Sequence, residues 1–326
     1  VYKVDDEKLR SICGTTSKSP KWSIAYKFKS IERLTKLKSV SFQVGRTGII
    51  TPVAELEPIN IGGVMVSRAS LHNMDEINKK DIRIHDYVYV KRAGDVIPEI
   101  DRVDKDKRKN TKRIKMPTSC PSCSSKISKI SDQSIYKCNN HRKCPAQIIQ
   151  TIQHFASRKA MNISGLGEGI IQMLIEKNFL TDYSDLYYLP FDEVKKIDRM
   201  GEISSLNLQK SISKSKSTTL ERLIYALGIN EVGLTTAKVL ASNFKSLELL
   251  QKSDINSLEN IKDIGPIVAQ NVIDYFNDRD NLNIIKKLFK AGVIAHTSKK
   301  LSSNHFDGFI FVITGSFKNH SRKDID

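Results

Sequence analysis

The alternation of apolar and polar positions divides this chain into a strand-rich front and a helical back. Along Trp22-Ser23-Ile24-Ala25-Tyr26-Lys27-Phe28 the large apolar residues share one side, and Ser23, Ala25 and Lys27 share the other. That is the period of a strand. Tyr2-Lys3-Val4 repeats the pattern, so residues 1–30 are expected to form two strands around a polar turn. Short apolar runs then recur between Gly- and Asp-containing turns, at Ser39–Val44, Ile49 to Val53, Val64–Val66 and Tyr87–Val90. Ser70–Ile77 reads as a short helix inserted among them, with His72 structural rather than a ligand. Strands of this length predict a small barrel over 31–110. At Pro145 the period lengthens to that of a helix. Beyond it an apolar-Gly pair recurs at Leu166-Gly167, Met200-Gly201, Val232-Gly233 and Ile264-Gly265, with glycine spacings of 34, 32 and 32 residues.

For a barrel of about 80 residues an OB-fold is the economical choice. Arg46 and Arg92 stand in its Gly-containing turns, where a cation can reach a backbone phosphate. An apolar-Gly turn between two short helices is the helix-hairpin-helix unit. In this reading the glycine allows a sharp turn, and the amides at the start of the second helix face outward toward an anion such as a DNA phosphate. Gly167, Gly201, Gly233 and Gly265 are therefore candidate DNA contacts, against the alternative of a solenoid that only packs. Lys3 and Lys27 could converge on a phosphate, although the pattern alone favours two solvated lysines.

Four cysteines separate the two halves. Cys120 and Cys123 stand two residues apart, Cys138 follows after fourteen, and Cys144 after five more. A turn carrying two thiolates and a hairpin returning two more is what tetrahedral zinc requires. Two disulfides are the alternative; against them, Cys13 is the only other cysteine and no secretory segment is present. Zinc is expected to be structural, with the four sulfurs preferred over His141 and Cys13 taking no part. The formal charge of +17 and pI near 9.5 point to a polyanionic partner. Hydrophobic content of 39% supports folded cores, and no apolar run reaches membrane-helix length. Between Arg102 and Lys115, eight of fourteen residues are Lys or Arg, which reads as a solvated linker between barrel and cysteine module. Val1 in first place and a fresh strand near Asp326 suggest a piece of a larger protein.

Taken in order, these landmarks resemble the bacterial NAD-dependent DNA ligase. They are Lys3, Trp22–Phe28, Val44-Gly45-Arg46-Thr47-Gly48, Arg92-Ala93-Gly94-Asp95-Val96-Ile97-Pro98, the four cysteines, the four hairpins, and a BRCT-like opening from Phe306 to Phe317. The resemblance implies a multidomain α+β chain. Residues 1–30 would end the adenylylation (nucleotidyltransferase) domain, 31–110 would be the OB-fold, and 111–147 the four-cysteine zinc finger. Residues 148–296 would be an all-α helix-hairpin-helix domain, and 297–326 a linker and truncated BRCT start. It implies nick sealing in three steps: a lysine takes AMP from NAD+, AMP passes to a 5′-phosphate, and the 3′-hydroxyl displaces it. Lys3 and Lys27 would line the nucleotide pocket, and Mg2+ would serve the full enzyme. The partner would be nicked double-stranded DNA, gripped by a monomer in the bacterial cytoplasm at the nucleoid, with no membrane involved. The family's nucleophilic lysine lies in Lys-x-Asp-Gly, which this chain lacks. No catalytic residue is therefore assigned, and the isolated chain is expected not to adenylylate itself. Two other classes stay open: a non-catalytic DNA-binding scaffold, and a repair nuclease subunit, which would need an acidic metal cluster not found here.

Overall fold

The computed structural model describes residues 1–16, 19–26, 31–92, 98–130, 135–198 and 200–297. Lys27, the Ala93–Ile97 part of the second barrel motif and the BRCT-like opening lie outside the described residues, as does the side chain of Arg92. Two compact units are present: Val1–Gln153 with Gly167–Asp182, and His154–Leu166 with Tyr183–Asp326.

In the first unit the expected barrel closes. Its strands are β1 (Ile31–Val44), β2 (Ile50–Ile61), β3 (Val64–Ser70), β4 (Tyr87–Arg92) and β5 (Glu99–Val103), in the order β1-β2-β3-β5-β4. β4 returns to pair with β1, and β3 meets β5 in parallel. This is the five-stranded Greek-key arrangement of an OB-fold. β1 is 14 residues long and serves two partners. Ile31–Lys36 pairs with β4, and Leu37–Val44 pairs with β2 across an irregularity at Leu37/Ser39. A bulge there bends the strand so that one element can turn a barrel corner. Alternate residues fill the interior, among them Leu37, Ala54, Leu56, Val88, Val90 and Ile100. Helix Met74–Lys79 begins where the Asn73 side chain accepts the Glu76 N–H, and it sends Ile77 into the same core.

The basic run that begins in β5 is solvated along most of its length but is tied to the barrel at several points. Arg102 belongs to β5, lies 3.9 Å over the Tyr89 ring and pairs with Glu32 and Asp101. Arg108 binds both Asp81 and the fully buried Asp86. Lys112–Arg113 pairs with Arg83–Ile84, and Ile114 joins the barrel core. Carboxylates distant in sequence thus hold Arg102 and Arg108, which a local charge count cannot register, while the other six cations of the run are exposed.

Residues 1–26 differ from expectation in another way. Tyr2–Lys3 and Ser23–Ile24 do pair, but the turn between them holds helix Glu7–Cys13, capped by the Asp6 side chain. Its residues are all at least partly exposed, so no apolar stripe announced it; Asp6 and Gly14 were its only sequence signals. The apolar side of the strands is also open to solvent, with Ile24 and Tyr26 exposed.

In the second unit, three hairpins pair Phe191–Val194 with Glu202–Ser215, Leu220–Leu227 with Leu234–Phe244, and Ile255–Glu259 with Pro266–Asn277. Glu168–Glu176, the corresponding second helix of the first repeat, belongs to the first unit. The residue four places after each repeat glycine is buried (Ile171, Ser205, Ala237 and Ala269). Small or branched side chains there let each helix seat closely. Ile294–His296, expected to belong to an all-α domain, instead pairs in parallel with Ser217–Thr219.

Candidate metal centre and nucleic-acid interface

Cys120 and Cys123 project from a tight turn in which the Ser124 N–H bonds the Cys120 carbonyl. Cys138 ends the second strand of the hairpin Ile127–Lys129/Tyr136–Cys138, and Cys144 precedes helix Pro145–Ala156. The four sulfurs lie within 4.8 Å of one another, with Cys120–Cys144 at 3.9 Å and Cys123–Cys138 at 3.6 Å. A tetrahedron of thiolates at about 2.3 Å from zinc has edges of about 3.8 Å, so the set fits that ion. Burial raises the Cys120 thiol and takes Cys138 up to about 12. Burial acts the same way on Cys123, but hydrogen bonds donated by the Ser125 hydroxyl and backbone outweigh it and bring that thiol to about 6. Four adjacent thiolates need a central cation to ionise together. His141 is exposed, its Nδ1 3.1 Å from the Asn139 carbonyl, and Cys13 is exposed and outside the cluster.

The cysteine module is fused to the barrel. Cys120, Cys138 and Cys144 share a core with Val44 and Ile50 at the β1–β2 turn. The Cys138 N–H donates to the Gly48 carbonyl at 2.9 Å, and Gln147 Nε2 donates to the Cys138 carbonyl at 3.1 Å. Gly48 has φ +85°, and a side chain there would run into the Cys138 carbonyl oxygen. The motif glycine is thus set by this close approach. Arg46 lies half-buried in the same turn. Gln147 was missed in the sequence because it looks like any polar residue on a helix; only its burial marks it.

The repeat glycines behave differently. Each is the N-cap of its helix, with φ of −75°, −66°, −84° and −89° for Gly167, Gly201, Gly233 and Gly265. Any residue adopts that extended backbone, and nothing lies within 4 Å of a Cβ built on any of the four. The sharp-turn role expected of them is therefore corrected: the fold does not require glycine here. None has a side chain capping the first amides, whereas Ser246, Asp254 and Asp278 cap neighbouring helices in the usual way. The first-turn donors of the repeat helices face open space, where an anion can take the place of a cap. The two halves of the repeat differ in charge: Glu168 and Glu202 stand in the first turns of the first two, while the last two have no acid there. Lys3 lies exposed on its two-residue strand opposite Ser23. The structure thus gathers the four cysteines, while Lys27 and the Arg92 side chain lie outside the described residues.

An OB barrel, a four-thiol module and helix-hairpin-helix repeats in one chain define a class of modular, multidomain proteins. Within that class the comparisons are specific. Residues 34–112 match the NAD-dependent DNA ligase OB-fold domain, and residues 222–285 match the helix-hairpin-helix motif. The chain is 43% identical over 327 residues to a DNA ligase of Coxiella burnetii (strain CbuK_Q154), covering 100% of this chain and 49% of that protein. It is 43% identical over 329 residues to a DNA ligase of Francisella tularensis subsp. novicida (strain U112), covering 100% and 48%. With a DNA ligase of Prosthecochloris aestuarii the identity is 42% over 327 residues, covering 99% and 48%. The chain spans about half the length of the curated relatives it matches, and its similarity to these DNA ligases extends from end to end. Among the described residues, no helix is long and apolar enough to cross a membrane.

Proposed function

We propose that this chain is the duplex-gripping part of an NAD-dependent DNA ligase that seals nicks on the bacterial chromosome. The observation that carries this reading is the match of the barrel, residues 34–112, to the NAD-dependent DNA ligase OB-fold domain. The repeat helices support it: their uncapped amides offer anion seats without base contacts, so they grip a backbone with no sequence preference. Lys3 and Lys27 would face the adenylate phosphate and steady its charge, and the lysine that carries AMP would come from outside these 326 residues. NAD+ supplies the adenylate, and Mg2+ supplies charge neutralisation during its transfer. Cys120, Cys123, Cys138 and Cys144 would hold one structural zinc that fixes the barrel against the module.

Two measurements test this reading. Duplexes of unrelated sequence should bind alike, with log K falling by about 0.9 per neutralised phosphate for each unit of log salt. A strong sequence preference or a flat salt response would refute backbone gripping. Incubated with adenylate-labelled NAD+, the chain alone should acquire no label; a stable labelled lysine would show that the nucleophile has been misassigned.

A further inference from the structure

The helical unit contains a cationic cleft that the repeat glycines do not account for. Its volume is about 330 Å³, and it is lined by Arg158, Lys159, Glu221, Arg222, Leu234 and Lys238. Four cations thus face one carboxylate. Arg222 is fixed: its Nε donates to the Ala160 carbonyl at 2.9 Å and its Nη2 to the Arg158 carbonyl at 2.7 Å. Those two bonds orient the guanidinium and leave Nη1 for another acceptor. Arg158 and Lys159 are neighbours on the turn after helix Pro145–Ala156, with Lys159 exposed, and Lys238 lies on helix Leu234–Phe244. Among the described residues, Arg158, Lys159 and Lys238 make no ion pair with an acid. Like charges crowded into a concavity repel one another until an anion enters. Leu234, part of the lining, is the first residue of the helix that Gly233 caps, so the cleft lies against a helix start without a side-chain cap.

We propose that this cleft seats a phosphate group of a nucleic-acid backbone and makes the third hairpin the main anchor of the four. The proposal rests on the backbone-gripping reading and adds to it which hairpin dominates and through which side chains. A planar guanidinium and flexible ammoniums around one cavity suit the tetrahedral oxygens of a phosphodiester. In sequence these residues are scattered and aperiodic, and the fold alone assembles them.

The test uses the whole chain and fluorescence anisotropy on a labelled nicked duplex across a salt series. Lys159→Gln/Lys238→Gln should weaken binding by about 30-fold at low salt and lower the salt slope by about one phosphate's share. The control pair Lys210→Gln/Lys214→Gln, on the helix of the second hairpin, should cost less than about threefold. Lys238→Arg should bind like the unaltered chain. Equal losses in the two Gln pairs would overturn the cleft while leaving backbone gripping intact. Failure of the unaltered chain to bind any duplex would instead sink the underlying reading. Inorganic phosphate, followed by NMR at the cleft's arginine signals, separates the sources. Phosphate that duplex displaces supports the proposal; phosphate that stays bound alongside the duplex makes this a free-anion site and overturns it.

Discussion

Gly48 in the barrel and Gly233 in the third hairpin look alike in sequence, each a glycine in a turn that nucleic acid would reach. Their surroundings are opposite. Gly48 has φ +85° and abuts the Cys138 carbonyl, so its missing side chain is demanded from within. Gly233 has an extended backbone and empty space where a Cβ would stand. Its missing side chain leaves room for something from outside. One glycine closes the seam between barrel and metal module, and the other keeps a helix start open. A glycine that the fold requires and one that it does not are told apart by φ and by what a Cβ would meet.

The largest expected effect lies on the fold side. Structural zinc contributes on the order of 10 kcal/mol to free zinc-finger peptides. Because Val44 and Ile50 share the cysteine core, chelation should disturb the β1–β2 end of the barrel along with the module. Amide exchange at Gly48 and Ile50 should accelerate on chelation; unchanged protection there would mean the seam does not couple the two. Next, Gly48→Ala should lower stability by about 3 kcal/mol, from backbone strain plus the clash with Cys138. Denaturant melts would show it, and a neutral result would erase the contrast with the hairpins.

On the partner side, Gly233→Val and Gly265→Val should lower stability by only about 1 kcal/mol, the cost of a poorer N-cap residue. Gly233→Val should nevertheless weaken duplex binding about tenfold, or about 1.4 kcal/mol, and Gly265→Val by a smaller factor. A variant that unfolds, or one that folds and binds normally, would break the comparison. Smaller still, Glu202→Gln should tighten binding at low salt by about 0.5 kcal/mol, since a carboxylate in the first turn competes with a phosphate for the helix start. No change would show that the second hairpin does not approach the backbone.

Acid separates the two sides last. Hydrogen bonds from Arg108 and Arg83 hold the Asp81 carboxyl down at about 2, below its ordinary 3.8. A depressed folded value means the stabilisation is fully present above about pH 4 and is lost as pH falls toward 2. Asp81→Asn should therefore flatten the barrel's loss of stability between pH 4 and 2, read by circular dichroism. An unchanged acid profile would remove the Asp81 pair with Arg108 from the contacts that hold the barrel.

Features whose physics is local were legible in the sequence. Cysteine spacing fixes how thiols can meet around one turn and one hairpin. The alternation of β1 and β2 follows from burial of one strand face, and the apolar-Gly repeat marks four helix starts. Helix Glu7–Cys13 escaped notice because it buries nothing, and Ile294–His296 because its partner strand lies far upstream. The anchoring of Arg108 within the basic run was not legible because charge counted along a chain omits Asp81 and Asp86, which fold against it. Only the tertiary structure could assign Gly48 to the seam, place Gln147 on Cys138, or gather Arg158, Lys159, Arg222 and Lys238 around one cleft. Periodicity and spacing record what neighbours along the chain must do. Close approach and convergence of charge depend on which distant segments the packed elements bring together, and no local pattern encodes that.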